Sequence, residues 1–347
     1  MGTRWTVTLA PASRSLDRGT RNDIDRAIRD ELGRLERLMS TWMEDSELSR
    51  FNHQSSTEPF PVDADLFAVF QAAAALTAET EHALDITVLP AVEAWGFGAH
   101  GRQGDPPDER AIEGLRERTG MRHLDLDPDG RWIRKRRPDV QCDVAAIAPG
   151  YAADRLASIL QRRVELSGFL IDVGGELVAR GRNADGRPWQ IAVEGPWGRD
   201  TPARIITLED SAVATSGDYR NYRMVEGERV THIIDPRTAR PIRHRLASVT
   251  VVDRTATRAD ALATALMVLG PEDGMSLARR LDLDALFIVA SHGQMTTDGR
   301  AGTNGTNGIN GSNGSNGSNG SNGSKGNGAD GFVQYMTPRF ERRGSGS

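Results

Sequence analysis

The sequence predicts an α+β protein, and three observations carry that expectation. Up to about residue 130 the apolar residues fall mostly at helical spacing. From Arg131 onward, short β-rich runs punctuated by glycine take over, with only two helical stretches among them. Strands and helices do not alternate in the regular way that a doubly wound parallel sheet requires.

In chain order, "WTVTLA" alternates like a strand. After a polar turn, Ile24, Ile28, Leu32, Leu35, Leu38 and Met39 form one face of an amphipathic helix. A second helix fits "DADLFAVFQAAAALTAETEHA", and a third fits "DERAIEGLRERTG", whose last glycine suits a C-terminal cap. The β-rich runs are "GFLIDVGGELVARG", "WQIAVEG", "ARIITL", "SAVATSG", "THIIDP" and "ASVTVV". The helices between them span about Tyr151 to Gln161 and Ala259 to Leu269, the latter closed by Gly270. Residues 301–331 repeat Asn-Gly-Ser with almost nothing to bury, which predicts a disordered insertion. The following "FVQYMTPRF" alternates again, so the insertion is expected between two strands of one sheet. The expected domain is therefore 1–300 together with 332–343, with 344–347 as a flexible tail.

A net charge of -5 on 347 residues leaves no electrostatic footprint for nucleic acid or anionic lipid. Nearly all positive charge is arginine; Lys135 and Lys325 are the only lysines. The single Cys142 excludes an internal disulfide and a thiolate metal cluster. The first residues hold no apolar leader, and no stretch reaches the roughly 18 apolar residues of a spanning helix. These features predict a cytoplasmic protein without membrane insertion.

Several segments carry chemistry-bearing residues. In "TRADALATALMVLG", Asp260 and Thr264 stand four apart on one helix face, where both oxygens suit a hard cation such as Mg²⁺. The same segment also reads as a helix start, with Thr257 and Asp260 forming a capping-box-like pair. In "FLIDVGGELVARG", Asp172 precedes Gly174 and Gly175, a pair fit either for a bulge or for close approach of a ligand. "ATSGDYRNY" and "THIIDPRTARP" bring Ser216, Gly217, Asp218, Tyr219, His232 and Asp235. His232 reads either as a structural strand histidine or as a base whose basicity the nearby Asp235 raises. "ALDITVLPAVEAWGFG" sets Asp85 and Thr87 on one side of an extended segment. "AIAPGYAADRLA" reads as a loop turning into a helix, with Pro149 where a donor is expected.

Together with "MSTWMEDSELSRFN", these segments resemble in content and order the ApbE family of FAD:protein FMN transferases, over residues 1 to about 290 and again from 332 to 342. The resemblance implies a two-lobed α+β fold with mixed, largely antiparallel sheets flanked by helices. It implies FAD as substrate in a cleft between the lobes, with Mg²⁺ assisting transfer of the FMN half to a threonine or serine hydroxyl of an acceptor protein, and AMP leaving. By the same resemblance Asp260 and Thr264 are metal ligands, joined by a carbonyl of the 145–148 loop such as that of Ala146. His232, with Asp235, becomes the candidate base. Ser216, Gly217, Asp218 and Tyr219 line the flavin cleft, as do Asp172, Gly174 and Gly175. Trp42, after Ser40 and Thr41, stands where the family carries an aromatic stacking platform. Met1, Asp85, Thr87 and Glu194 complete the implied cofactor-binding set.

Three departures are visible. Pro149 replaces the lysine of A-I-A-K-G-Y, Ala239 replaces the glycine of D-P-x-T-G, and the Asn/Gly/Ser tract lies outside every motif. Arginines such as Arg220 or Arg237 are candidate replacements for the missing charge. The alternatives to transfer are hydrolysis of FAD to FMN and AMP, storage or delivery of FAD without chemistry, and action on another substrate.

Overall fold

A single antiparallel sheet organises the chain. The computed structural model describes residues 3–12, 16–101, 104–163, 166–198, 201–218, 222–225, 228–291, 325–327 and 331–344. Eight strands form the sheet: β1 Trp5–Pro11, β2 Leu166–Val173, β3 Glu176–Gly181, β4 Ala212–Gly217, β5 Leu246–Asp253, β6 Asp284–Ala290, β7 Lys325–Asn327 and β8 Phe332–Met336. They lie in the spatial order β1-β2-β3-β4-β5-β6-β8-β7. Every neighbouring pair is antiparallel, so the expected mixture resolves to one direction rule among the described residues. β6 and β8, which flank the Asn/Gly/Ser tract in sequence, pair from Leu286↔Met336 to Ala290↔Phe332. The Ser291 N–H then donates to the Gly331 carbonyl at 2.7 Å.

Period-two alternation sends the two faces of the sheet into different cores. Phe169, Ile171, Val173, Val249, Val251, Ala285 and Phe287 face helices α1 Arg18–Met39, α2 Ala64–Glu79, α3 Ala148–Arg163 and α4 Ala256–Arg280. Val213, Val252, Leu286 and Ile288 face the opposite way, onto the two-stranded layer Trp189–Val193/Arg204–Leu208 and Phe340. A third, smaller cluster of Ala91, Trp95, Ile112, Leu115, Val230, Ile234 and Ala239 is the core of a second lobe.

The structure departs from the sequence expectations where backbone chemistry is local. α3 begins at Ala148, three residues before the expected Tyr151. Pro149 thus sits in the first turn, where an N–H has no intrahelical partner and a fixed φ favours the helix. "GFLIDVGGELVARG" is a hairpin, not one strand: Gly174 and Gly175 take φ of 75° and 115° in a two-residue turn between β2 and β3. "THIIDP" is not one strand: Thr231 ends the strand Glu228–Thr231, and Ile234–Asp235 forms a separate short pair with Arg240–Pro241. Ala239 occupies the left-handed region at φ 54°, the conformation that favours the glycine it replaces. Gly270 does close the helical run from Ala256, at φ 81° and ψ -174°, and Pro271 opens a second segment. The hairpin Tyr222–Val225/Glu228–Thr231 was not legible in the strand pattern.

Candidate functional site

The N-termini of α3 and α4 cross beside the start of β3 and the end of β4. Asp260 is 6% exposed, and its Oδ2 accepts the Gly150 N–H at 3.1 Å. The capping-box reading is overturned: Thr255 caps α4, accepting the Arg258 N–H, while Thr257 Oγ1 donates to Asp154. Asp260 lies one turn further in, with Thr264 a turn beyond it. Thr264 Oγ1 shares a 3.0 Å hydrogen bond with Ser216 Oγ on β4, which ties the helix to the S-G-D strand.

Ala146 precedes α3 in the segment that leads to Pro149. Among the described residues no backbone N–H is directed at its carbonyl, because Gly150, the donor four residues on, is turned to Asp260. The carbonyl of Ala145 has no such donor either, since proline stands four residues after it. In the first turn, Pro149 costs the helix no hydrogen bond.

Glu176 starts β3 on the helix side of the sheet, in register with Val173. Burial holds its carboxyl above the ordinary carboxylate range, and Asp260 and then Asp172 reinforce that shift. Burial raises Asp260 too, against the Gly150 N–H, which favours its ionised form. Glu176 is half-buried and Asp260 buried, neither is ion-paired among the described residues, and a hard divalent cation would supply a counter-charge. The donor set fits Mg²⁺: one carboxylate, one hydroxyl and an open carbonyl, as suits an ion that keeps water and shares phosphate oxygens. Among the described residues no group of three or more His, Cys, Asp or Glu is placed to hold a metal without such help.

Gly174 and Gly175 form an exposed turn, which Asp172 braces by accepting the Gly175 N–H at 2.9 Å. Asp218 follows β4 and pairs with Arg229, whose guanidinium also lies over the Tyr222 ring at 4.4 Å. Burial raises the Asp218 carboxyl and Arg229 opposes the shift. Trp42 is 73% exposed, just past Ser40 at the C-terminus of α1; Ser40 Oγ accepts the Trp42 N–H at 3.1 Å.

The second lobe holds His232 and Asp235. The His232 ring meets the edge of Phe97 at a centroid distance of 6.3 Å. Asp235 is gripped by Arg237, through Nε at 2.9 Å and an Nη at 2.8 Å, so the charge of Arg237 is matched locally. Trp95 Nε1 donates to the Ala239 carbonyl at 2.8 Å. A cavity of about 350 Å³ opens here, lined by Trp95, Asp235, Thr238, Arg240, His244 and Val268 among others.

Other expected residues are placed apart from these. Asp85 and Thr87 are buried: Asp85 accepts from Thr87 N, Thr87 Oγ1 and Met121 N, and Thr87 Oγ1 accepts from Gly120 N. Their task in this structure is to brace the 119–121 turn. Glu194 follows Trp189–Val193, in the layer across the sheet from α4. Met1, Tyr219 and Arg220 lie outside the described residues. The sequence reading missed Gly150, Asp154, Glu176 and Phe97; the spacing of Gly150 and Asp154, four apart on one helix, was the signal available for that pair.

The chain is similar in sequence and fold to known proteins. The sequence profile of the ApbE family matches residues 1–287. The FAD:protein FMN transferase of Vibrio cholerae is 40% identical over 291 residues, 83% of this chain and 85% of its own length. That of Klebsiella pneumoniae is 38% identical over 297 residues, 85% of this chain and 83% of its own. The crystal structure of the Pseudomonas stutzeri flavinyl transferase ApbE in its apo form superposes with a TM-score of 0.79 at 33% identity, covering 99% of this chain and 94% of that one.

Proposed function

The chain belongs to the ApbE family and is an FAD:protein FMN transferase, and for its chemistry we propose Mg²⁺-dependent transfer of FMN to a serine or threonine hydroxyl, with release of AMP. The observations that support this reading are the Gly150 N–H bond to Asp260, which brings α4 against the segment that holds Ala146, and the bond between Thr264 and Ser216 one turn further on. Bound by these residues, Mg²⁺ would neutralise the pyrophosphate and the charge that develops on the departing AMP.

The chain's own groups do the rest. Trp42, with Ser40 and Thr41, offers an exposed ring for stacking, and the turn Gly174–Gly175 lets a ligand approach the backbone closely. Ser216, Gly217 and Asp218 line the same cleft. His232, steadied by Phe97, takes the proton from the acceptor hydroxyl as that oxygen attacks the FMN phosphorus. The bond from that phosphorus to the AMP phosphate oxygen breaks, so the new ester and AMP account for every atom. Pro149 removes an ammonium from this site and leaves the oxygen ligands in place.

The test is incubation with FAD, Mg²⁺ and an acceptor domain bearing a target threonine, reading the acceptor's intact mass while AMP is followed in the same tube. A gain of one FMN with matching AMP is expected. AMP without acceptor modification identifies a hydrolase instead, and FAD bound with no AMP identifies a carrier.

A further inference from the structure

α3 grips α4 at two points one helical turn apart. At the first, the Asp154 carboxylate accepts the Ala256 N–H at 3.0 Å, the Thr257 N–H at 2.9 Å and Thr257 Oγ1 at 2.6 Å. At the second, the Gly150 N–H donates to Asp260. Gly150 and Asp154 are four residues apart and therefore share a face of α3. Their partners, 256–257 and 260, are likewise one turn apart on α4. Two contacts at this spacing fix both the rotation and the height of α4, because sliding or turning it by one residue breaks both at once. Asp154 is thus a cap borrowed from another helix, and its negative charge favours the N-terminal dipole of α4. The local cap, Thr255, serves only its own helix by accepting from Arg258 N at 3.4 Å.

We propose that Asp154 is a positioning residue for the cation site: by capping α4 from α3 it holds Asp260 at the height where it meets the Gly150 N–H and Thr264 at the height where it meets Ser216. The inference rests on the metal-dependent reading above. It assigns Asp154 no contact with substrate or ion; it acts through the helix that carries the ligands, as outer partners orient metal ligands elsewhere.

The test titrates Mn²⁺ into protein with FAD and reads free aquo-Mn²⁺ by EPR, with the melting temperature of each variant measured alongside. Asp154→Ala is expected to weaken Mn²⁺ binding about tenfold. Asp154→Asn, which keeps one acceptor oxygen, is expected to recover part of that loss. Thr255→Ala removes a cap from the same helix without touching the link to α3, and is expected to lower the melting temperature while keeping wild-type Mn²⁺ affinity. Wild-type affinity in Asp154→Ala, or affinity that falls equally in Thr255→Ala, overturns the proposal. If Asp154→Ala does not fold, Asp154→Asn decides alone, and unaltered affinity there is the adverse result. Asp260→Ala separates the two readings: undiminished Mn²⁺ binding in that variant removes the cation site itself, and this inference with it.

Discussion

Gly150 and Asp260, 110 residues apart in sequence, are joined by an N–H···O bond of 3.1 Å at a helix crossing with no room for a side chain. A Cβ on Gly150 would stand 2.3 Å from the Ala256 carbonyl oxygen and 2.9 Å from Asp260 Cβ. Both contacts are with backbone or with an atom next to it, so no side-chain rotation relieves them. Gly150→Ala is therefore expected to force α3 and α4 apart at a cost of about 2 kcal/mol or more, and to weaken divalent-cation binding. Urea unfolding of the variant checks the first part; wild-type stability would contradict the close crossing.

The carboxyls of Glu176 and Asp260 are both held above their ordinary range, Glu176 by burial and then by Asp260, and Asp260 by burial. A carboxyl raised in the folded state binds its proton more tightly there than in the unfolded chain. Its stabilising contribution is complete below the ordinary carboxylate range and is lost as pH rises through the folded value. Metal-free protein is expected to lose stability from about pH 4, where the unfolded carboxyls ionise, up to about pH 9, the raised folded value of Glu176, and Glu176→Gln to flatten that slope. Saturating Mg²⁺ should also flatten it, since the ion favours both ionised carboxylates. Melting temperatures across this interval decide; a slope that Glu176→Gln leaves unchanged counts against the coupling.

Pro149 occupies the first turn of α3, where a lysine N–H would have no helical partner to satisfy. Pro149→Lys is expected to fold with stability within about 1 kcal/mol of the parent, and to keep AMP release. A large loss of turnover with intact folding would show that the site is built around the proline.

Gly270 adopts φ 81° and ψ -174°, a region open essentially to glycine, and a Cβ there would lie 2.8 Å from His244 Cδ2. His244 matters at this point because its Nε2–H donates to the Met267 carbonyl at 2.8 Å while Nδ1 accepts the Leu246 N–H at 3.3 Å. Burial disfavours its charged form, which keeps this neutral tautomer. Gly270→Ala is expected to cost about 3 kcal/mol, read by thermal unfolding. A shift near zero would mean that the bend between the two helical segments is not held as described.

Trp42 is 73% exposed, so its removal should leave the cores untouched. Trp42→Ala is expected to change stability by less than about 0.5 kcal/mol. It should weaken FAD binding roughly fivefold, as the loss of about 1 kcal/mol of stacking requires. Quenching of flavin fluorescence measures this, and unaltered FAD affinity would remove Trp42 from the site.

The candidate site was legible in the sequence wherever its residues come from one element. Asp260 and Thr264 declare a shared face by their spacing, and Ser216, Gly217 and Asp218 stand together at a strand end. Asp85 and Thr87 show the limit of that reading. Their proximity in "DITV" was plain, yet their oxygens face Gly120 and Met121, more than thirty residues on, and serve a turn. Glu176 was passed over because its significance lies in Asp260, 84 positions away and on a different element.

The sequence by itself determined the α+β class, the strand-rich second half and the family, because periodicity and motif order depend on spacing along the chain. Only the tertiary structure decided which polar atoms are satisfied and which stay open. A buried donor or acceptor takes its partner from whatever packs against it, and those partners come from distant segments. The Gly150 N–H, free to close its own helix onto Ala146, goes instead to Asp260; among the described residues that choice leaves the Ala146 carbonyl without a backbone donor, and no local rule in the chain foretells it.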